Sequence, residues 1–293
     1  MPLIYIILVN FNSYKDTIEC VRSLKKINYL NYKIVIVDNN SKNDSVKELK
    51  KHLNDCIIIE SKNNKGFSGG NNLAIEYSIK NGAEYVLLLN NDTLVNPNFL
   101  TNMINSYNKI NNVGIVTCKI LYYPEQNKIW YGGGKINWFK FIVEHYGMGE
   151  FDIGQTDLNK EVDFATGCCM LVKIDVLKKV GLLSDEYFMY FEDVDFCVRV
   201  KEAGYRIWYN HNAIIYHKVG QASGGEESSF SIEWCTRNRL FFMKKYKNRV
   251  PKFQYFLSLF FFYITRIIRY LEYKIKNDND RANAILSAIR YSR

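Results

Sequence analysis

No hydrophobic run in the sequence is long enough to span a bilayer on its own. The uncharged aromatic stretch between Lys252 and Arg266 holds 13 residues. As a helix it would extend about 20 Å, short of a hydrocarbon core of about 30 Å. There is no C-x-x-C pair and no Cys/His group at zinc-finger spacing, and the seven cysteines are an odd number. Cys168 and Cys169 are adjacent, where a bridge would be strained, so reduced, buried thiols are expected rather than a disulfide scaffold. Also missing are the G-x-x-x-x-G-K-S/T phosphate loop and a strand-linked G-x-G-x-x-G, which argues against NTPase and dehydrogenase chemistry. The apolar start, Met1 to Val9, lacks a basic leader and a small-residue cleavage site, and reads as a buried first strand.

What is present fits one compact unit or one domain with an appendage: 293 residues, 47% hydrophobic and 24% charged, a balance that excludes a disordered chain. The net charge of +9 raises nucleic acid, an anionic membrane surface or phosphorylated ligands as partners. Its distribution narrows the choice. Residues 231–293 hold 14 Lys/Arg against 4 Asp/Glu, a net +10, leaving 25 basic and 26 acidic residues, a net −1, in the first 230. A nearly neutral body argues against a nucleic-acid partner, which would require a basic face there.

Short apolar runs alternate with helix-like stretches through the first half, the pattern of βαβ units around a mainly parallel sheet. Ile4 to Val9, Lys33 to Val37, Cys56 to Ile59 and Tyr85 to Leu89 are the expected strands. Tyr14 to Ile27, Asp44 to Leu53 and Gly69 to Asn81 are the expected helices, with Asn43 and Asp44 suited to capping. Polar residues gather after the strands, where ligands bind in an open α/β sheet. Farther on, Gly132 to Gly134 suggests a flexible or closely approached loop, and Leu183 to Gly204 a loop entering a helix. Arg206 to Tyr209 and Ala213 to Tyr216 read as two short strands. Beyond about Ser231 the composition turns aromatic and basic, placing a domain boundary there.

Several clusters carry candidate chemistry. Asp38-Asn39-Asn40-Ser41 puts a carboxylate where it can accept from a base or ribose, although such clusters are most often turns. Asn64 to Asn72 is glycine-rich and lets backbone approach a ligand. Asp92, in Asn90-Asn91-Asp92, stands where a strand emerges and a hard divalent ion can neutralise a diphosphate; an Asx turn is the plain alternative. Glu192-Asp193-Val194-Asp195 follows an aromatic stretch that raises carboxylate proton affinity and suits a general base, or else simply favours a helix dipole. Asp195 and Arg199 are spaced to pair on a helix. His217 ends a short apolar run.

Taken in order, these pieces resemble a family 2 glycosyltransferase of the GT-A fold, in its rhamnosyltransferase-like branch. The matching residues are Val9 to Asn12, Val37 to Ser41, Asn64-x-Gly66-Phe67-x-x-Gly70-Asn71, Leu89 to Asp92, Phe188 to Asp195, and Tyr216-His217. The resemblance covers about residues 4–240. It implies an α/β, Rossmann-like catalytic domain over residues 1–230, with a nucleotide-sugar half to about 112 and an acceptor half from about 113. Residues 231–293 would form a helical tail.

The resemblance also implies roles. Val9, Asn10, Asn12, Asp38 and Asn40 would line the nucleotide pocket, and Asn64, Gly66, Phe67, Asn71 and Asn91 the loops near the phosphates. Asp92 and His217 would bind Mg²⁺ or Mn²⁺; Asn90 stands where the D-x-D motif often has its first Asp, leaving the metal one fewer carboxylate. Asp193, with Glu192 as alternative, would deprotonate the acceptor in an inverting transfer. Thr166 and Gly167 would shape the sugar pocket, and Arg237 would approach the diphosphate. The implied partners are a nucleoside-diphosphate sugar and a glycan or lipid-linked acceptor, at the cytoplasmic face of the membrane. The basic aromatic tail suits either an anionic membrane surface or a homodimer contact. Two further readings remain: a non-catalytic glycan-binding protein on the same scaffold, and a nucleotidyltransferase, which would release pyrophosphate.

Overall fold

The computed structural model describes residues 1–219 and 227–291. The chain opens with β1 (Ile4–Asn10), α1 (Tyr14–Leu24), β2 (Tyr32–Asp38), α2 (Ser45–His52), β3 (Ile57–Glu60), α3 (Gly66–Lys80) and β4 (Tyr85–Leu89). It continues through β5 (Thr93–Val95), α4 (Phe99–Lys109), β6 (Val113–Tyr122), β7 (Ile129–Tyr131), β8 (Gly134–Asn137), β9 (Ile142–His145), β10 (Lys160–Glu161) and β11 (Cys169–Lys173). Then come α5 (Ile174–Val180), α6 (Glu192–Glu202), β12 (Arg206–His217), α7 (Ser229–Lys245), α8 (Lys252–Ile275) and α9 (Asn279–Arg290).

The main sheet runs β10-β12-β6-β11-β4-β1-β2-β3, with β5 added to β12 and β7 to β6. Its β4-β1-β2-β3 block is parallel, as the alternating apolar runs predict. β11 enters antiparallel between β4 and β6, so the sheet as a whole is mixed. β1 and β4 are almost wholly buried, which is why they read as continuous apolar runs rather than as alternation. α3 packs on β1, β2 and β4, and α4 on β6 and β12. All seven cysteines are free and five are buried, matching the expectation of unbridged thiols.

Three local expectations change. Arg206 to His217 is one strand, not two; its polar centre makes a bulge whose Asn210 amide donates to the Asn102 carbonyl and the Ser106 hydroxyl on α4. Asp44 makes no side-chain cap on α2, but the Asn43 side-chain Oδ1 accepts from the Ser45 N–H and hydroxyl. α3 begins at Gly66, three residues earlier than its sequence suggests.

Two compact units divide the chain. The first comprises residues 1–135, 145–188 and 192–219, and the second residues 136–144, 189–191 and 220–293. In the second, Ser228 caps α7 by accepting from the Ser231 N–H, and Asp278 caps α9 by accepting from the Arg281 N–H. Tyr273 of α8 packs with Ala282 and Ile285 of α9. Trp138 stacks on Phe242, and the Asn238 amide donates to the carbonyls of Met189 and Tyr190.

Candidate active site

The register of the parallel block sets Asn10 beside Asp38 at the carboxyl ends of β1 and β2. Both are buried. The Asp38 carboxylate accepts from Asn10 at 2.7 Å, from the Ser41 hydroxyl at 2.7 Å and from the Ser41 N–H at 3.0 Å, so it anchors its own loop before any ligand arrives. The Asn10 side-chain Oδ1 accepts from the Thr17 hydroxyl, which in turn accepts from the Asn91 amide. This chain ties the β1, β2 and β4 ends together. Asn12 and Asn40 both hold positive φ, as Asn tolerates. Asn12 donates its N–H to Ser41 and accepts from the Lys42 N–H, and Asn40 accepts from the Lys42 ammonium.

The glycine-rich loop is built by close approach. Asn39 donates to the Asn64 side chain and the Gly66 carbonyl and accepts from the Lys65 N–H, while Asn64 accepts from the Gly66 N–H. The Phe67 N–H donates to the Phe188 carbonyl at 2.7 Å. Gly66 sits at φ +66°, and a Cβ there would lie 2.1 Å from that same carbonyl oxygen. Gly70 lets α3 close on Val9 of β1, and the buried Asn71 donates to the Phe67 carbonyl one turn back.

Gly66→Ala is therefore expected to cost about 3 kcal/mol, from left-handed strain plus overpacking. Gly82→Ala, at φ +79° with nothing within 4 Å, is expected to cost about 1 kcal/mol. Equal melting temperatures for the two variants would refute the contact.

Asp92 and His217 meet because β5 pairs antiparallel with the end of β12, which sets His217 opposite Thr93. His217 Nε2 lies 3.1 Å from Asp92 Oδ1 and 3.4 Å from the Asn90 amide nitrogen. Burial pushes the Asp92 carboxyl up, but His217 and Lys218 outweigh it and hold the group below the usual carboxylate value. Lys218 also bridges Asp16 and Glu19. The His217 ring lies edge-on to Trp130, and its buried Nδ1 has no hydrogen-bond partner among the described residues.

This pair fits a hard divalent ion. A carboxylate oxygen and an imidazole nitrogen 3.1 Å apart match neighbouring ligands of an octahedral ion at about 2.1 Å. Among the described residues no third His, Cys, Asp or Glu joins them.

The carboxyl pair stands at the start of α6. Asp193 accepts from the Gly167 N–H at 2.9 Å and the Val194 N–H at 2.8 Å. Burial nonetheless pushes its carboxyl up to about 6. Glu192 is buried, and its Oε2 has no hydrogen-bond partner among the described residues. Burial and then Asp193 push its carboxyl well above the usual range. Gly167 also packs close to the Phe67 ring, from which a Cβ there would lie 3.0 Å, so the glycine-rich loop and Asp193 are neighbours. Thr166 is buried and its hydroxyl accepts from the Cys168 N–H. Asp195 pairs with Arg199 at 2.8 Å, as the helical spacing predicts, and Arg199 also donates to the Val180 and Leu182 carbonyls. That acid is therefore structural.

Arg237 belongs to α7 in the second unit, its guanidinium 4.8 Å over the Trp234 ring. Sequence reasoning missed Thr17 and Trp130 altogether. A threonine in an amphipathic helix and a tryptophan in a short strand carry no local signal of a site.

The sequence model of glycosyl transferase family 2 matches residues 5–181. The low-salt glycan biosynthesis hexosyltransferase Agl10 of Haloferax volcanii is 27% identical over 80% of this chain and 73% of its own length. Rhamnosyltransferase WbbL of Escherichia coli is 27% identical over 78% of this chain and 87% of its own. GalNAc-T7, solved with UDP, GalNAc and Mn²⁺, superposes with a TM-score of 0.63 at 12% identity over 81% of this chain, which spans only 47% of that one. Mannosyltransferase PcManGT from Pyrobaculum calidifontis, in complex with GDP-Man and Mn²⁺, gives a TM-score of 0.60 at 12% identity over 99% of this chain and 87% of its own. With its GT-A fold and six ordered motifs, the chain belongs to glycosyl transferase family 2, as a rhamnosyltransferase-like member.

Proposed function

We propose that the protein moves a sugar, rhamnose first among candidates, from a nucleoside diphosphate to the hydroxyl of a surface glycan or lipid-linked acceptor at the cytoplasmic face of the membrane, with inversion. The meeting of Asp92 and His217 near the Asn10–Asp38 contact supports this reading, because a divalent ion held there would put a diphosphate next to a nucleoside. Val9, Asn10, Asn12, Asp38 and Asn40 would receive the nucleoside. Asn64, Gly66, Phe67, Asn71 and Asn91 would form the wall nearest the phosphates, and Thr166 and Gly167 the sugar pocket. Asp92 and His217 would hold Mg²⁺ or Mn²⁺, which when bound stabilises negative charge on the departing diphosphate.

Asp193 would take the proton of the acceptor hydroxyl as its oxygen forms the new bond to the anomeric carbon. The old bond to the diphosphate breaks on the opposite face, giving inversion. Two backbone N–H donors favour the charged form of Asp193, whereas Glu192 has none at Oε2 and burial favours its protonated form, which makes Asp193 the base of the pair in this reading.

A thermal-shift screen of nucleoside-diphosphate sugars tests the donor. dTDP-rhamnose with Mn²⁺ or Mg²⁺ is expected to stabilise the protein by about 2.7 kcal/mol at 100 times its Kd. No stabilisation by any such sugar with either metal would defeat the proposal, and release of pyrophosphate during turnover would hand it to a nucleotidyltransferase.

A further inference from the structure

Helix α8 has two unlike faces. Ser258, Phe262 and Tyr273 are buried on one. On the other, Phe253, Phe256, Phe260, Ile267, Leu271 and Ile275 are each more than half exposed. Their spacings of three, four, seven, four and four residues place them on one stripe, about 33 Å long. An uncovered apolar stripe of that length marks an interaction surface. Exposed basic residues stand at both ends: Lys247, Arg249 and Lys252 at the start, Lys274 and Lys276 at the finish. No helix among the described residues is long and apolar enough to cross a membrane.

Charge selects the occupant. A second copy docked stripe to stripe would bring two tails of net +10 together. A bilayer with anionic headgroups offers opposite charge to the helix ends and hydrocarbon to the stripe. We infer that α8 lies flat in the interface of an anionic membrane, its stripe sunk about 5–10 Å and its lysines on the headgroups. This names the surface by which the chain reaches a lipid-linked acceptor. It rests on that reading for its purpose, not for its geometry.

Flotation of the full chain with phosphatidylcholine vesicles, with and without phosphatidylglycerol, is the test. Binding is expected only with the anionic lipid. Phe256→Glu with Phe260→Glu is expected to weaken it more than about tenfold. Lys247→Gln with Lys252→Gln is expected to weaken it about 25-fold, each basic residue near the surface being worth about fivefold. No flotation with anionic vesicles, or flotation indifferent to both variants, overturns the inference. So does a solution dimer of the wild type that the phenylalanine variant dissolves, since the stripe would then belong to a second copy. Donor-induced thermal stabilisation of the same variants is expected to match the wild type, so a failure of membrane binding and a failure of the transferase reading are seen separately.

Discussion

Asp193→Asn is expected to bind donor nucleotide almost as the wild type does and to transfer sugar about 10³-fold more slowly. The side chain keeps its size, while the basicity that supplies about 10²–10⁴ of a proton-transfer step is lost. Glu192→Gln is expected to retain most activity, because an amide resembles the protonated acid that burial favours at that position. pH gives an independent reading. A base must be ionised to act, and the Asp193 carboxyl is pushed up to about 6. The rate is therefore expected to be level above that value and to fall about tenfold per unit as the pH drops below it. Measuring kcat and donor Kd across pH for the three proteins checks both effects. Near-normal turnover in Asp193→Asn would remove the assignment, and a dead Glu192→Gln beside a live Asp193→Asn would reverse the pair.

The parts of the fold that sequence makes legible are those decided locally. β1, β2 and β4 are apolar runs stopped by Asn or Asp, and their observed ends fall within a residue or so of the expected ones because burial and the polar stop coincide. α3 shows where this fails. Its first turn is fixed by the Phe188 carbonyl, 121 positions from the Phe67 N–H it accepts, and no local rule locates that partner. β12 fails for the same reason, since Asn210 reads as a break until α4 supplies its partners. α8 runs beyond the charge-free stretch because Arg266 is held inside the second unit, donating to the Thr236 hydroxyl and lying over the Phe262 ring.

The site divides along the same line. Asn10, Asp38, Asp92, Asp193 and His217 are visible because chemistry-bearing residues follow apolar runs in a recognisable order. What order does not reveal is which acid is free. Asp195 and Asp193 lie two residues apart in the same cluster. Only the Arg199 guanidinium on one, and the Gly167 and Val194 N–H groups on the other, separate a structural acid from a candidate base. The hydrogen-bonded chain from Asp38 through Asn10 and Thr17 to Asn91 likewise needs three elements brought together before it exists.

Asp92→Ala is expected to abolish metal-dependent donor binding and slow transfer by about 10²–10³-fold. His217 would be left with the Asn90 amide as neighbour, whose neutral carbonyl oxygen is a weaker ligand for a hard cation than a carboxylate. The fold is expected to survive, because the Asp92 backbone carbonyl, not its side chain, holds the Lys218 N–H, and β5 pairs with β12 through backbone. Asn90→Asp should act in the opposite direction, adding a second carboxylate beside His217 and lowering the Mn²⁺ concentration needed for half-maximal donor binding. Titrating Mn²⁺ against nucleotide binding by calorimetry separates the variants without any turnover. Unchanged metal dependence in Asp92→Ala would show that the diphosphate is neutralised elsewhere and would leave the Asp92–His217 contact as a structural pair alone.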